Sequence, residues 1–201
     1  MTDNTQNQNP EQASAQGQAQ AKHPHFEMLR VYSKNASLET PNSPAVFRTA
    51  WMPRLSVNFN VVPTLITSDE KNGVKTELYE VALRVEVQCE NMHKKEDVAN
   101  REAKGDIAFI CEVNQAGMFA LSGFDPLQTE YVLNAAAPNM LFPYAREYVS
   151  NLINRGTFPP VNLAPINFDL LFRARKMQEL QKAKQAQAAA GEAANKEEPV
   201  A

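Results

Sequence analysis

The three histidines and two cysteines are the residues of this chain best suited to catalysis or to metal binding. A catalytic acid–base pair needs groups that are held rigidly beside a substrate. His23 and His25 lie in a polar N-terminal stretch and His93 lies in a polar loop, so we expect all three to be solvated. Cys89 and Cys111 fall at inward-facing positions of predicted strands, where a free thiol behaves as a small apolar side chain.

Motifs that would hold a nucleotide or a metal ion are missing from the sequence. Its 7 glycines do not cluster into a phosphate-binding loop, and it contains neither His-Glu-x-x-His nor Cys-x-x-Cys. No histidine or other base is placed to lower the pKa of either thiol. We therefore expect a protein that is not an enzyme and that binds no cofactor and no metal.

Composition and charge limit the classes to which the chain can belong. Hydrophobic residues make up 43% of it, which is enough for a packed core. With 20 Lys+Arg against 23 Asp+Glu the formal net charge is −3, unlike the basic excess of a nucleic-acid-binding protein. No apolar run approaches the ~18 residues of a membrane helix, and the N-terminus lacks the pattern of a secretory signal. We expect a cytoplasmic protein with no nucleic-acid partner and no direct membrane insertion.

The two ends of the chain differ from its middle. Residues 1–25 contain six Gln and, apart from Met1, no large apolar residue, so burial cannot offset the entropy cost of ordering them. We expect a disordered tail there and a single domain over residues 26–176. Residues 177–201 are expected to form a fraying helix end and a second disordered tail.

Two segments in the middle of the chain alternate regularly between apolar and polar residues. They are Leu78–Cys89 and Ile107–Ala120. A period of two residues is typical of strands with one buried face and one face in contact with water. The polar loop 91–105 between them indicates a hairpin. By the same parity Glu80, Glu86 and Glu112 are expected on the wet face.

Two earlier segments, Phe26–Leu38 and Leu55–Val61, are also strand-like. The stretch 40–53 that joins them contains three prolines, which are incompatible with a regular central strand or helix. We expect an irregular crossover there, although it carries Phe47 and Trp51.

After Gly123 the apolar spacing changes to three and four, which indicates helices. We expect Pro138 and Pro143 to start or break helix segments, Gly156 to cap a helix, and a last helix to begin near Ile166. Four strands followed by two helices indicate an α+β fold, in which two C-terminal helices pack on one face of a four-stranded antiparallel sheet.

The stretch 141–172, which reads LFPYAREYVSNLINRGTFPPVNLAPINFDLLF, closely resembles SecB, the family of protein-export chaperones. Residues 79–85 and 109–113 are similar to sheet strands of that family, and the resemblance covers about residues 26–172. Its crossover loop is matched by Pro41, Asn42, Pro44, Phe47, Trp51 and Pro53.

The resemblance implies a homotetramer, a dimer of dimers, that binds unfolded preproteins without ATP and delivers them to SecA, the translocation motor. The family's client groove lies between the crossover and the second helix. Its lining is implied to be Phe47, Trp51, Leu55, Val57, Phe59, Phe168, Leu171 and Phe172. Ordinary core packing remains the alternative for the three strand residues of this set and for its two phenylalanines in the last helix.

Two further surfaces follow from the resemblance. The positions that contact SecA are matched by Asn35, Glu39, Ile110 and Glu112, where Asn35 stands in place of an acidic residue. The SecA segment is basic, so the implied attraction is electrostatic, and a merely solvated sheet face is the alternative. Candidates for the surface that joins subunits are Cys111, Val113, Gln115, Tyr144, Tyr148 and Leu152, with intrachain core as the alternative.

An alternative function is a SecB-like chaperone or control module dedicated to one partner such as a toxin. Affinity for several unrelated unfolded chains would separate the two functions. The loop 91–105 looks longer than is usual in the family, and the sequence assigns it no role. The last helix reads Phe172-Arg-Ala-Arg-Lys176, where the family is often more apolar.

Overall fold

The structure is a computed structural model that describes residues 24–71 and 73–194. Most of the predicted disordered tails lies outside the described residues, so those predictions stay predictions. The sequence predicts His25 to lie in the N-terminal tail, but it belongs to the first strand, because it pairs with Ser122 in the sheet. At the other end the last helix continues to Ala194.

Four long strands form one antiparallel sheet, which confirms the predicted architecture. The strands are β1 (His25–Glu39), β2 (Pro53–Lys71), β3 (Val74–Asn91) and β4 (Asp106–Ser122), in the spatial order β1-β4-β3-β2. β2, β3 and β4 pair in succession, whereas residues 40–52, here called the crossover segment, carry the chain from one edge of the sheet to the other. β1 and β2 are therefore the two edge strands.

The alternation of side chains gives the sheet two different faces. On the inner face Val85 of β3 and Val113 of β4 lie opposite each other, and both are fully buried. On the outer face the register places Glu86 opposite Glu112. Complete burial of a Val, Leu or Phe side chain stabilises a fold by roughly 1.5–3 kcal/mol, so the inner face carries the core.

Three helices follow the sheet: α1 (Pro126–Tyr131), α2 (Ala137–Arg155) and α3 (Phe168–Ala194), with a π-helical stretch (Val132–Ala136) between the first two. α2 lies over β3 and β4 on the inner face. One side of α2 is buried at a regular spacing of four residues, which is the helical stripe expected from the sequence. The stripe consists of Leu141, Ala145, Val149 and Ile153.

The prediction that Pro143 would start or break a helix segment is wrong. Pro143 lies inside α2, where it removes the N–H that would bond the carbonyl of Asn139. Both residues are exposed, so water can satisfy that carbonyl on this side of the helix. Pro138 does follow the prediction, because it is the second residue of α2, which begins where the π-helical stretch ends.

Gly156 ends α2 as predicted, because there is no room for a side chain at this position. Its φ is −78°, which any residue can adopt. A Cβ there would lie 2.8 Å from Leu38 Cδ2 and 3.1 Å from Phe158 Cδ2. The left-handed conformation that closes the helix falls instead on Thr157, whose φ is 64°.

α3 is attached to the domain mainly through its first turns. Phe168 is buried against Phe142 of α2, with ring centroids 5.9 Å apart, and Asp169 accepts a hydrogen bond from the hydroxyl of Tyr131. Farther along, the exposed apolar residues of α3 are Leu170, Leu171, Met177 and Leu180. None of the described helices has the length and apolar character needed to cross a bilayer.

Candidate functional site

The crossover segment places two large aromatic side chains at the surface. One 3-10 turn buries Val46 and leaves the neighbouring Phe47 50% exposed. The side-chain amide of Asn42 donates a hydrogen bond to the carbonyl of Ile107 at 3.0 Å, which anchors the start of the segment. Trp51, near its end, is 37% exposed. The segment is therefore an ordered part of the domain from which both rings remain accessible.

Phe158 is the buried base on which these two rings rest. Its ring centroid lies 5.1 Å from that of Phe47 and 5.8 Å from that of Trp51. It also contacts Phe109 of β4, with ring centroids 4.9 Å apart. These four residues are here called the aromatic cluster. Two of its rings are buried and two reach solvent, so the cluster joins the core to an open apolar surface.

The predicted groove residues of β2 lie on the inner face of the sheet, opposite Cys89, Val87 and Val85. Leu55 is 45% exposed, whereas Val57 and Phe59 are partly buried and pack against the core. The ring of Phe59 meets that of Phe142 edge to face at 6.1 Å. The groove interpretation therefore fits Leu55, which is accessible. Val57 and Phe59 are compatible with both the groove and the core interpretation, because each is partly buried.

The predicted groove residues of α3 differ from one another in exposure. Phe168 is only 2% exposed in the single chain and packs on Phe142, so it supports α3 from below. Phe172 is half-buried, and its ring meets Tyr131 of α1 at 5.7 Å. Leu171 is 51% exposed. The accessible members on this helix are therefore Leu171 and part of Phe172.

The structure thus brings Phe47 and Trp51 together on Phe158, and it links Phe59 to Phe168 through Phe142. Leu55 lies on the inner face of the sheet, opposite Cys89. The sequence alone did not identify Phe158 or Phe142 as part of the site. Phe158 directly precedes two prolines in the connector before α3, and a large aromatic residue in such an irregular segment is the signal that could have revealed it.

The second predicted site lies on the outer face along the β1–β4 ladder. Glu39 pairs with Ile110, and Asn35 pairs with Asn114 four positions farther along β4. Between these two pairs lies Glu112, opposite Ser37. The four residues predicted for this face, Asn35, Glu39, Ile110 and Glu112, are therefore close neighbours on one face, as the strand parity requires.

The carboxylates of the outer face are largely paired. Arg84 lies between two of them, with Nη2 2.5 Å from Glu112 Oε2 and 3.6 Å from Glu86 Oε2. Glu80 accepts hydrogen bonds from Lys34 and Tyr32, which lower the pKa of its carboxyl group. The bond from Tyr32, with a smaller effect of burial, raises the pKa of that phenol to about 12. The register confirms that Glu80, Glu86 and Glu112 share one face, but these contacts balance part of their charge.

The candidate residues for subunit contacts occupy two kinds of place. Cys111 and Val113 are fully buried beneath α2, and Gln115 is 5% exposed. These three side chains therefore belong to the intrachain core, which was the alternative for them. Tyr144 and Tyr148 are 48% and 37% exposed on α2, and Leu152 is half-buried against the core.

The described histidines lie at the surface, whereas the two cysteines lie in the core. His25 and His93 are exposed, and their partners are Glu27 at 3.3 Å and Asp106 at 3.9 Å. His23 lies outside the described residues. Within residues 24–71 and 73–194, no three His, Cys, Asp or Glu side chains are grouped so that they could hold a metal ion.

The two cysteines are buried, free thiols, as the strand parity predicts. Burial, with a smaller effect of Glu90, raises the pKa of Cys89 to about 12. Burial alone raises the pKa of Cys111 to about 11. The reactive thiolate is therefore scarce at neutral pH.

Both thiols should stay unlabelled by a disulfide-exchange reagent at pH 8 in the folded protein and should react fully in denaturant. The unfolded chain loses these protons first as the pH rises, because the ordinary thiol pKa of 9.0 lies below both folded values. The free energy of unfolding should therefore decrease between about pH 9 and pH 12. A Cys89→Ala, Cys111→Ala double variant should lose that part of the pH dependence. Rapid labelling of the native protein at pH 8 would contradict the burial of these groups.

These features define an α+β binding protein whose accessible aromatic surface suits apolar partners. The chain matches the family model described as preprotein translocase subunit SecB over residues 19–179. It is 44% identical over 147 residues to protein-export protein SecB of Histophilus somni, covering 73% of this chain and 75% of that relative. It is 44% identical over 153 residues to protein-export protein SecB of Actinobacillus succinogenes, covering 76% and 81%. The chain belongs to the SecB family.

One solved structure is also similar. It is a SecB-like chaperone of Mycobacterium tuberculosis in complex with a peptide from an antitoxin. The sequence identity is 14% and the TM-score is 0.47, and the match covers 70% of this chain and 90% of that chain.

Proposed function

We propose that this chain is an ATP-independent chaperone that holds unfolded preproteins in an export-competent form and delivers them to SecA. Membership of the SecB family supports the export role. The observation that carries the binding role is the aromatic cluster, which exposes Phe47 and Trp51 over the buried ring of Phe158. Such a protein acts in the cytoplasm before export, catalyses no reaction and needs no nucleotide.

An open aromatic surface explains how many different clients can bind. The hydrophobic effect is non-directional and grows with the apolar area removed from water, so it selects extended apolar segments and not one sequence. Several weak contacts along one client strengthen each other through their high effective concentration. Folding removes those segments from reach, which gives preference for unfolded chains without a further recognition device.

We propose that the outer face of the β1–β4 ladder docks SecA. The adjacent placement of Glu39, Ile110 and Glu112 supports this, because an apolar residue among carboxylates suits a basic partner with some apolar surface. Within the described residues Glu39 is exposed and has no ion pair. Of the two carboxylates proposed for this docking site, Glu39 is therefore more available to a partner than Glu112, which is paired with Arg84.

Changing Glu112 to lysine should weaken SecA binding on the order of tenfold at low ionic strength, and the loss should shrink as salt is added. The substitution reverses a charge on the docking face and leaves Arg84 without its closer partner. The matched control is Glu70→Lys, an exposed position near the end of β2, the edge strand at the opposite side of the sheet from β1. Surface plasmon resonance at two salt concentrations gives the affinities. Wild-type affinity of the Glu112 variant at low salt would count against this docking site.

We further propose that the chain works as a homotetramer arranged as a dimer of dimers. Met140, Tyr144 and Tyr148 support this assembly, because they form an exposed apolar stripe along α2 at a spacing of four residues. Cys111, Val113 and Gln115 would influence assembly indirectly, through the position of the helix that covers them. Light scattering should give four times the chain mass of 22.4 kDa, and a monomer at micromolar concentration would refute the tetramer.

The alternative, a module dedicated to one partner such as a toxin, predicts little affinity for unrelated unfolded chains. The purified protein should suppress the aggregation of several denatured model proteins, in stoichiometric amounts and without ATP. Suppression of none of them would contradict the proposed function, and capture of a single dedicated partner would favour the alternative.

A further inference from the structure

One polar side chain, that of Asn91, is buried beside the crossover segment with only 5% of its surface exposed. Asn91 is the last residue of β3 and lies opposite Pro53 at the start of β2. Its amide oxygen accepts a hydrogen bond from Met52 N at 2.7 Å. Its amide nitrogen donates to Thr49 Oγ1 and to the carbonyl of Ala50, each at 3.0 Å. All three bonds go to the crossover segment.

The partners allow only one orientation of this amide. The N–H of Met52 can only donate and the carbonyl of Ala50 can only accept, so the two ends of the Asn91 side chain cannot exchange. The hydroxyl of Thr49 donates to the carbonyl of Val46 at 3.0 Å, which leaves it an acceptor toward Asn91. A buried polar group without partners costs about 1–3 kcal/mol, so this part of the segment is held in one conformation.

Trp51 lies between the two backbone groups that Asn91 holds. The carbonyl of Ala50 is bonded on one side of Trp51 and the N–H of Met52 on the other. The indole ring can then reach Phe158, whose centroid is 5.8 Å away. One buried side chain thus sets the backbone from which the accessible indole projects.

The loop after β3, residues 92–105, is folded against the same point. The guanidinium of Arg54 donates hydrogen bonds to the carbonyls of Asn100 and Ala103, each at 2.6 Å, and also pairs with the carboxylate of Glu90. Gly105 closes the loop so tightly that a Cβ there would lie 2.5 Å from the carbonyl oxygen of Asn91. The loop therefore packs against Asn91, the residue whose side chain is bonded to the crossover segment.

We propose that Asn91 is a positioning residue for the recognition of unfolded chains, and that loop 92–105, clamped by Arg54, supports it. Asn91 acts through Trp51 and does not contact the client. The consequence for client binding rests on the proposed function. The consequence for the placement of the indole is independent of it, and Trp51 can report it directly, because it is the single tryptophan of the sequence.

The test is acrylamide quenching of Trp51 fluorescence together with the affinity for a labelled unfolded preprotein. Asn91→Asp keeps the size and the acceptor but loses both donated bonds, so the quenching constant should roughly double as the ring leaves its 37% exposed position. Client affinity should fall about tenfold. Arg54→Met should change both readouts in the same direction, about threefold for affinity. Asn60→Ala, an exposed position of β2 on the outer face, should change neither.

Wild-type quenching and affinity in a folded Asn91→Asp protein would overturn the proposal. If that variant does not fold, as judged by circular dichroism, Arg54→Met decides: a shift in both readouts supports the proposal and no shift overturns it. If the wild-type protein binds no unfolded chain, the proposed function fails, and the quenching constants alone decide whether Asn91 positions Trp51.

Discussion

Replacing Trp51 with alanine should weaken the binding of an unfolded client on the order of thirtyfold, or ~2 kcal/mol, while the fold remains intact. The indole is 37% exposed and rests on Phe158, so it offers a large, already ordered apolar face to a partner. Its truncation removes contact area from the client and little from the core. The affinity can be measured by fluorescence anisotropy of a labelled unfolded preprotein.

Leu127→Ala is the matched control for this prediction. Leu127 is 66% exposed on α1, so its truncation removes an accessible apolar side chain that lies outside the predicted groove. It should leave client affinity unchanged. Equal effects of the two substitutions, or no effect of Trp51→Ala in a folded protein, would remove Trp51 from the client site.

Replacing Phe158 with alanine should lower the free energy of unfolding by about 3–5 kcal/mol. The ring is 3% exposed and contacts three other aromatic rings, so its loss leaves a cavity where the crossover segment, β4 and the connector meet. Client affinity should fall as well, because Phe47 and Trp51 lose the surface on which they rest. Urea unfolding followed by circular dichroism gives the stability.

Phe172→Ala is the comparison for this second prediction. Phe172 is half-buried and packs on Tyr131 at the surface, so its truncation should cost less than half as much stability. Phe158→Leu keeps most of the apolar volume, and it can replace the alanine variant if that protein does not fold. A Phe158→Ala protein as stable as the wild type would show that the aromatic cluster is not part of the core.

The strands β3 and β4 and their faces could be predicted from sequence, because each depends on a period of two within one segment. The prediction for β2 covered only residues 55–61 of a strand that runs over Pro53–Lys71. The alternation from Tyr79 to Cys89 alone places Glu86 on the wet face, and the ladder then puts it opposite Glu112. The aromatic cluster was only partly predictable, because the contacts of Phe158 with Phe47 and Phe109 join residues far apart in the chain. No local pattern encodes such contacts.

The position of Pro143 and the role of two inward-facing residues of β4 could not be predicted from local sequence patterns. Pro143 lies inside α2 because the carbonyl it leaves free is on the exposed side of the helix, which depends on how α2 lies on the sheet. Cys111 and Val113 could not be assigned from parity, since an inward-facing position looks the same in a subunit interface and in an intrachain core. Their complete burial under α2 assigns them to the core of the single chain.

The role of Asn91 could not be predicted either. A single asparagine at the end of a strand usually marks a turn. Its three bonds to residues about forty positions earlier in the chain arise only when the crossover segment passes the end of β3. The composition of the loop 92–105 also predicts no role for it. Its role depends on two contacts in the folded chain: the bonds of Arg54 to the loop and the close approach of Gly105 to Asn91.

The most direct measurement is the affinity of the purified protein for one preprotein in two states, unfolded and folded, with and without ATP. We expect tight binding of the unfolded state, no measurable binding of the folded state and no change on adding nucleotide. Equal binding of the two states, a requirement for ATP, or no binding at all would contradict a passive chaperone that captures exposed apolar segments on its aromatic surface.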